Sequence, residues 1–489
     1  MILTIKNLGT LKEAEIDLSK DLILLCGHNN TGKTYVAYAI YYFLENDSAL
    51  EYDELVETSK SVLFNFKQED IISQSKNLIS LDLIGFINSN HSFIEKLIID
   101  KKKAFHKYVF PQKNLNPNFR YKIPQGNSLE KIVLGKETSI VVIGSTNISK
   151  KNNSKELRIE SSIHKSASDF INSIKDGKLI NSFIKILLYD ILGFKSENCI
   201  YLFSSERAAI NIFSKELALN KNQFFDKILK TKGEERNKLL HFAEENINRY
   251  QKPIADELLI AEDLLHLQNR KSDFEFLAIE LEKSILEGKI SVGQYGGLQY
   301  QPNNSSENTI LEIYQTSSLV KSLASLVFYL RHLAKKNDCI IIDEPELNLH
   351  PDNQILVARF LARLVNEGFK VVASTHSDYI IRELSNLLML SNNFKEKEEL
   401  MKTYGYNENE LLKNENVGVY YFEKGKNTAV SVPLLKRGIE IDSIDLVIAN
   451  LNERSDDIYY TFLESDENKK AEKEEAKKAE ENLRSKSKI

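Results

Sequence analysis

Cysteine is scarce in this sequence, with three in 489 residues: Cys26, Cys199 and Cys339. They are widely spaced and lie in apolar runs, which argues against a disulfide framework or a zinc site. The pattern predicts three small buried hydrophobes in a reducing cytosol. No apolar run approaches the roughly 20 residues needed to cross a bilayer, so no membrane partner is expected. The opening stretch MILTIKNLGT alternates like a strand and has no signal-peptide core. Charge of one sign is lacking too. A net charge of -5 gives no global basic field, so contact with nucleic acid needs a local patch. Internal repeats and long Pro/Gly/Ser linkers are also absent.

What is present is a chain too long for one compact core, so two or more domains are expected. Hydrophobic residues at 42% and charged residues at 28% are ordinary for a soluble globular protein. MILTIKNL and EAEIDL alternate and predict a hairpin. DLILLCG is a short continuous apolar run, as in a strand buried on both faces. YVAYAIYYFLEN predicts a helix, and Glu51 to Asp100 reads as mostly helical, as in LDLIGFINSNHSFIEKLIID. SIVVIG and KELRIESSI predict strands near 138–163, then two helices to about Leu192 and a strand at Cys199–Phe203. Helical periodicity and charge dominate 208–288, and KISVGQYGGLQY predicts a glycine-containing hairpin. Residues 309–390 alternate strand and helix, which implies a parallel sheet with crossover helices. The tail from Ser465 is almost all charged residues and alanine, a solvated helix or disorder.

Three motifs carry chemistry. Gly27-His28-Asn29-Asn30-Thr31-Gly32-Lys33-Thr34 matches G-x-x-x-x-G-K-[ST] between a predicted strand and a predicted helix, the context this phosphate loop requires. Its glycines let backbone N–H groups converge on phosphate oxygens, and the helix N-terminus favours negative charge. Lys33 would reach the β- and γ-phosphates, and Thr34 would offer a hydroxyl to Mg²⁺. Cys339-Ile340-Ile341-Ile342-Asp343-Glu344 is a buried strand delivering two acids at its C-terminal end, where open α/β sheets bind ligands. Asp343 would hold Mg²⁺, directly or through water, and Glu344 would orient or deprotonate the attacking water. In Val371-Val372-Ala373-Ser374-Thr375-His376-Ser377 a further strand ends at His376, which contacts the γ-phosphate or holds that water. Taken singly, each has a bland alternative: a tight turn, solvated strand-end acids, a structural histidine. Their order along one chain favours the catalytic reading. Thr316, Ser317 and Ser318 cap a helix from about Leu319, with Leu319, Leu323, Leu326, Leu330 and Leu333 as one apolar stripe. That helix is either an anion site or a well-capped core helix.

GHNNTGKT, IIDEPELNLHP at 341–351 with a D-loop-like Glu346–His350 segment, STHSDYI at 374–380 and TSSLVKSL at 316–323 together resemble the ABC-ATPase head of the Rad50, RecF and overcoming-lysogenization-defect (OLD) group. The resemblance has specific motifs in about 1–45 and 309–390. It implies an α/β P-loop NTPase, a mixed sheet with crossover helices and a helical insert. The implied division is an N-terminal ATPase lobe at 1–207 with a helical insertion near 51–105, a helical hairpin or lid at 208–288, a C-terminal lobe at 289–464 and a charged tail at 465–489. It implies ATP and Mg²⁺ as ligands, with Gly27, Asn29, Asn30, Thr31, Gly32, Lys33 and Thr34 around the phosphates, Thr34 and Asp343 on the metal, and Glu344 and His376 as the catalytic pair. It also implies a head-to-tail homodimer or higher homo-oligomer, in which Ser317 and Ser318 of one subunit meet the ATP of another. At this signature the chain departs from the family, because Leu319 and Val320 follow the two serines where glycines are usual. Gln125 is the candidate Q-loop residue. Tyr201–Arg207 resembles a strand–turn in related AAA-type ATPases that ends in an arginine near the nucleotide, with a surface salt bridge as the alternative.

Stand-alone ATPases of this branch are similar to the ATPase subunits of PARIS-type and Septu-type antiphage systems, which pair the ATPase with a separate nuclease or toxin. OLD and Gabija proteins carry a Toprim nuclease after the ATPase. Here Asp442, Asp445, Asp456 and Asp457 form no D-x-D after an apolar strand. A cytoplasmic defence sensor with a separately encoded effector, triggered by DNA or a phage protein, is therefore the leading expectation. A DNA-repair or chromosome-maintenance ATPase of RecF or Rad50 type is the alternative, with Lys101, Lys102, Lys103, His106 and Lys107 as its best basic cluster and Lys150, Lys151 and Lys155 behind it. A third reading is an ATP-binding scaffold with negligible turnover.

Overall fold

The computed structural model describes residues 2–44, 71–74, 78–92, 94–95, 118–122, 127–134, 138–142, 146–161, 199–239, 250–303 and 309–464. Two alternating segments open the chain as β1 (Ile2–Leu8) and β2 (Leu11–Asp17), followed by β3 (Leu22–Gly27) and α1 (Lys33–Leu44). Next come β4 (Ile71–Gln74), β5 (Leu78–Asp82), β6 (Asn118–Lys122), β7 (Thr138–Val142), β8 (Thr146–Lys150), β9 (Glu156–Ser161) and β10 (Ile200–Phe203). The longer helices that follow are α2 (Arg207–Lys230), α3 (Lys252–Glu262) and α4 (Glu275–Leu281). The hairpin β11 (Gly288–Val292) and β12 (Leu298–Pro302) leads through β13 (Leu311–Glu312) to α5 (Ser318–His332). β14 (Cys339–Asp343), α6 (Pro351–Asn366), β15 (Lys370–Thr375) and α7 (Asp378–Leu390) alternate before β16 (Val417–Phe422) and β17 (Ala429–Val432). The last described helix is α8 (Asp442–Glu464).

The central sheet has the order β10-β14-β15-β3-β16-β17, parallel except for the antiparallel edge strand β17. Its inner strands are covered on both faces. Ile340, Ile341, Val371, Val372 and Leu22 to Cys26 are all fully buried, as continuous apolar runs in a parallel sheet require. Each such Leu, Ile or Val contributes roughly 1.5–3 kcal/mol through burial. The mixed α/β sheet with crossover helices is therefore as expected, and so are both hairpins and the buried β3.

Antiparallel pairing builds two further sheets in the N-terminal part, β2-β1-β6 and β4-β5-β9-β8-β7. This corrects the mostly helical reading of 51–100 at 71–74 and 78–82, while most of the described residues from 83 to 95 are helical. Leu81 and Asp82 end a strand, and the Asp82 side chain then accepts from Ile84 N at 3.2 Å to start the helix Leu83–Ser89. The strand pairs with β9, from Leu78↔Glu160 to Asp82↔Glu156. Such long-range pairing leaves no helical or strand period of its own in so short a run.

Helices make up most of the described part of 208–288. α2 and α4 pack on α5, and α3 packs on α2 and β10. The compact unit runs from Met1 to Ile439, and Glu440–Ile489 forms a second unit. In that second unit α8 is a 23-residue helix, and Asp442, Asp445, Asp456 and Asp457 all lie on it. Cys26 and Cys339 are buried as expected, whereas Cys199 is exposed. Cys199 precedes β10, which is an edge strand of the central sheet among the described residues. The helices expected before Leu192 and the tail from Ser465 lie outside the described residues.

Candidate nucleotide-binding site

Strand register assembles the site. Asp343 pairs with Ser374, and Thr375 pairs with Cys26, so β14, β15 and β3 end side by side at one edge of the sheet. Open α/β sheets bind ligands at such carboxyl ends. The phosphate loop leaves β3 through Gly27 at φ 131°, turns at Asn30 with φ 61° and enters α1 through Gly32 at φ 100°. A Cβ on Gly27 would lie 2.5 Å from the Phe422 carbonyl oxygen, so only glycine fits against β16. The tip from His28 to Asn30 is exposed, and Thr31 to Lys33 are buried. Thr31 Oγ1 braces the turn by donating to the His28 carbonyl at 2.7 Å.

Lys33 Nζ donates to the carbonyls of Gly27 (3.1 Å) and His28 (2.7 Å), at the mouth of its own loop. Burial pulls its ammonium down to about 8, while Glu344 and Asp343 pull the other way. Thr34 Oγ1 donates to Asp343 Oδ2 at 3.0 Å. Asp343 also accepts from Ser374 Oγ. Burial pushes its carboxyl above the usual range, and the two hydroxyls oppose that push. His376 joins the loop to the acids, with Nδ1 2.8 Å from the Gly27 carbonyl and Nε2 3.1 Å from Glu344 Oε1. The Gly27 carbonyl and an ionised Glu344 carboxylate can both only accept, so the two bonds form together only when the ring carries a proton on each nitrogen. The bond from His376 is the main cause that holds the Glu344 carboxyl below its usual range, against its partial burial. Glu346 Oε1 accepts from His376 N at 2.6 Å and fixes the turn after β15.

Gly27, Thr31, Gly32, Lys33, Thr34, Asp343, Glu344 and His376 therefore meet at one place, with Asn29 and Asn30 at the exposed tip. Ser317 and Ser318 do not join them through any hydrogen bond among the described residues. Both are exposed at the start of α5, where Ser317 Oγ accepts from Val320 N at 3.4 Å. The capped helix is as expected, and Leu323, Leu326, Leu330 and Leu333 of its stripe are buried. Gln125 and the cluster from Lys101 to Lys107 lie outside the described residues. Of the other lysines, Lys150 is buried and Lys155 pairs with Glu130.

Burial overturns one of the two sequence readings of Arg207. It is 1% exposed, so it is no surface salt bridge. Its guanidinium lies beneath the acids, donating to the carbonyls of Asp343 (2.7 Å) and Glu344 (2.8 Å). Ser374 was also missed as a functional residue. Besides its bond to Asp343, its carbonyl and its Oγ both accept from Glu344 N, at 3.0 and 3.2 Å. The only signal for it was its position in a polar strand end.

The donor set suits a magnesium nucleotide. A hydroxyl and one carboxylate are hard oxygen donors, and Mg²⁺ usually takes one or two such groups together with phosphates and waters. No group of three or more His, Cys, Asp or Glu side chains able to hold a metal by themselves occurs among the described residues. No described helix is long and apolar enough to cross a membrane.

Two solved structures are similar over most of their length. One is an SMC head bound to the C-terminal winged-helix domain of ScpA, at 11% identity, covering 88% of this chain and 98% of that one with a TM-score of 0.32. The other is an Smc head domain with an extended coiled coil bound to the C-terminal domain of ScpA from Pyrococcus furiosus, at 12% identity, 93% and 98% coverage and a TM-score of 0.31. No curated protein matches the sequence. A family model described as AAA ATPase domain matches residues 1–381. That span holds the phosphate loop, the strand-end acids and the histidine found together here, and the chain belongs to the AAA ATPase domain family.

Proposed function

We propose that the chain binds ATP with Mg²⁺ and hydrolyses it as an ABC-type ATPase, in a head-to-tail pair of copies. The observation that carries this reading is the closure of the phosphate loop on the strand ends: Thr34 on Asp343 at 3.0 Å, and His376 between Gly27 and Glu344 at 2.8 and 3.1 Å. Gly27 to Thr34 cradle the phosphates, and Lys33 reaches their outer oxygens. Thr34 and Asp343 hold the metal, which when bound neutralises charge on the phosphates. Glu344, kept ionised by His376, orients the attacking water and accepts its proton. His376 holds Glu344 in register with the loop. The exposed hydroxyls of Ser317 and Ser318 at a helix N-terminus suit contact with a nucleotide on a second copy.

The sequence motifs around these residues resemble those of antiphage ATPase subunits. On that ground the ATPase serves as the sensor of a defence system, controlling a separately encoded nuclease or toxin. The test of hydrolysis compares the parent protein with Glu344→Gln in a phosphate-release assay. The parent should turn over, and the variant should still bind ATP but release phosphate at least about 100-fold more slowly. Equal inactivity of both would mean that hydrolysis is not the function. The sensor role is tested by co-purification with the product of a neighbouring gene and by phage plating, and failure of both would remove it.

A further inference from the structure

Arg207 makes four hydrogen bonds, all to backbone carbonyls. Nε donates to Ser322 (2.9 Å), Nη1 to Ser204 (2.9 Å) and Asp343 (2.7 Å), and Nη2 to Glu344 (2.8 Å). Two of these acceptors are the backbone of the strand-end acids. The third, Ser322, lies one turn inside α5, the helix whose exposed end carries Ser317 and Ser318. Asn211, one turn after Arg207 in α2, adds a parallel tie by donating to the Lys321 carbonyl at 2.8 Å. One planar fork thus spans from α5 to the end of β14.

The Glu344 backbone needs such a clamp. Its φ of 52° lies in the left-handed region, which costs a residue with a Cβ on the order of 1–3 kcal/mol unless its surroundings fix it. Ser374 holds its N–H and Arg207 holds its C=O. The side chain direction that brings Glu344 to His376 follows from that backbone. A lysine has a single point of charge on a flexible stem and cannot replace a rigid fork that binds four carbonyls.

We propose that Arg207 is the positioning residue of Glu344 and makes the orientation of Glu344 depend on the placement of α5. Contact made at Ser317 and Ser318 is thereby conveyed to the group that activates water. The inference rests on the ATPase reading for its kinetic consequence, but not for its structural one.

The test is Arg207→Lys in the full chain. Turnover should fall about 10–100-fold, since a displacement of about 1 Å can cost that much. The Kd for ATP should stay within about threefold, because the phosphate loop is untouched. Amide hydrogen exchange should rise selectively in 344–349 and 318–324 while 22–44 stays protected, a readout that requires no turnover. If kcat is retained, or if kcat and binding fall together with exchange rising everywhere, the inference is wrong. If the parent shows no turnover, the ATPase reading fails, and the exchange pattern still decides the coupling. Should Arg207→Lys not fold, Asn211→Ala removes only the parallel tie. It should loosen 318–324 and lower kcat about two- to fivefold, and unchanged exchange and kcat would overturn the coupling.

Discussion

Glu257 offers a sharp test of how the interior beneath the site is balanced. It is 7% exposed in α3. Its Oε2 accepts from Ser204 N (3.1 Å) and Ser204 Oγ (2.7 Å), while Oε1 is buried with no hydrogen-bond partner among the described residues. Burial pushes the carboxyl from 4.5 up to about 7, against the two Ser204 bonds and the attraction of Arg207. The folded protein therefore binds more protons than the unfolded chain between those values. Glu257 contributes stability fully below pH 4.5, and that contribution is lost as pH rises through about 7. At about 1.4 kcal/mol per pKa unit the loss is on the order of 3–4 kcal/mol. Glu257→Gln keeps the shape and an acceptor for Ser204 but never ionises. The attraction of Arg207 is already contained in the shifted value, so it needs no separate allowance. The variant should be close to the parent in urea unfolding at about pH 5 and more stable by on the order of 3 kcal/mol at about pH 8.5. If the two stability curves stay parallel across that range, the buried carboxyl is not penalised as argued here.

Gly27→Ala places a Cβ at φ 131° against the Phe422 carbonyl. β3 and β16 must then part or the loop must turn away, so affinity for a fluorescent ATP analogue should fall at least about tenfold, with the thermal midpoint lowered by a few degrees. Unchanged affinity would mean that the loop does not depend on this conformation. Tyr329→Phe removes the hydroxyl that donates to Asp338 Oδ2 at 2.8 Å, at the base of β14. Thermal unfolding should report a loss of about 1 kcal/mol, with ATP affinity unchanged, and no loss would show that Lys335 N satisfies that oxygen alone.

The legible half of the site is the half written in local spacing. The phosphate loop was visible because its two glycines, lysine and threonine sit at fixed offsets between an apolar run and a helix. Asp343 and His376 were visible because each ends an uninterrupted buried strand, and parallel register then brings Ser374, Thr375 and Cys26 into line. The alternation of strand and helix from 309 to 390 fixed the sheet for the same reason. Nothing local announced β4, which pairs with β5, or β5 and β8, which pair with β9, or β16, whose partner β3 lies some four hundred residues earlier.

What supports the reacting groups was hidden for a different reason. Arg207, Ser204 and Asn211 act on main-chain carbonyls or on one buried carboxylate, and a carbonyl is present at every residue, so no complementary side-chain pattern marks the contact. Their burial is nevertheless informative. An arginine inside a protein must have its donors satisfied or lose much more than it contributes. Here those donors are spent on the backbone of Asp343, Glu344 and Ser322, which places a rigid charged fork between the helix end at Ser317 and the acid at Glu344. A site assembled this way gains its geometry from groups that never reach a ligand. Its sensitivity to substitution should therefore extend inward along Glu257, Ser204 and Arg207 as well as around the phosphate loop.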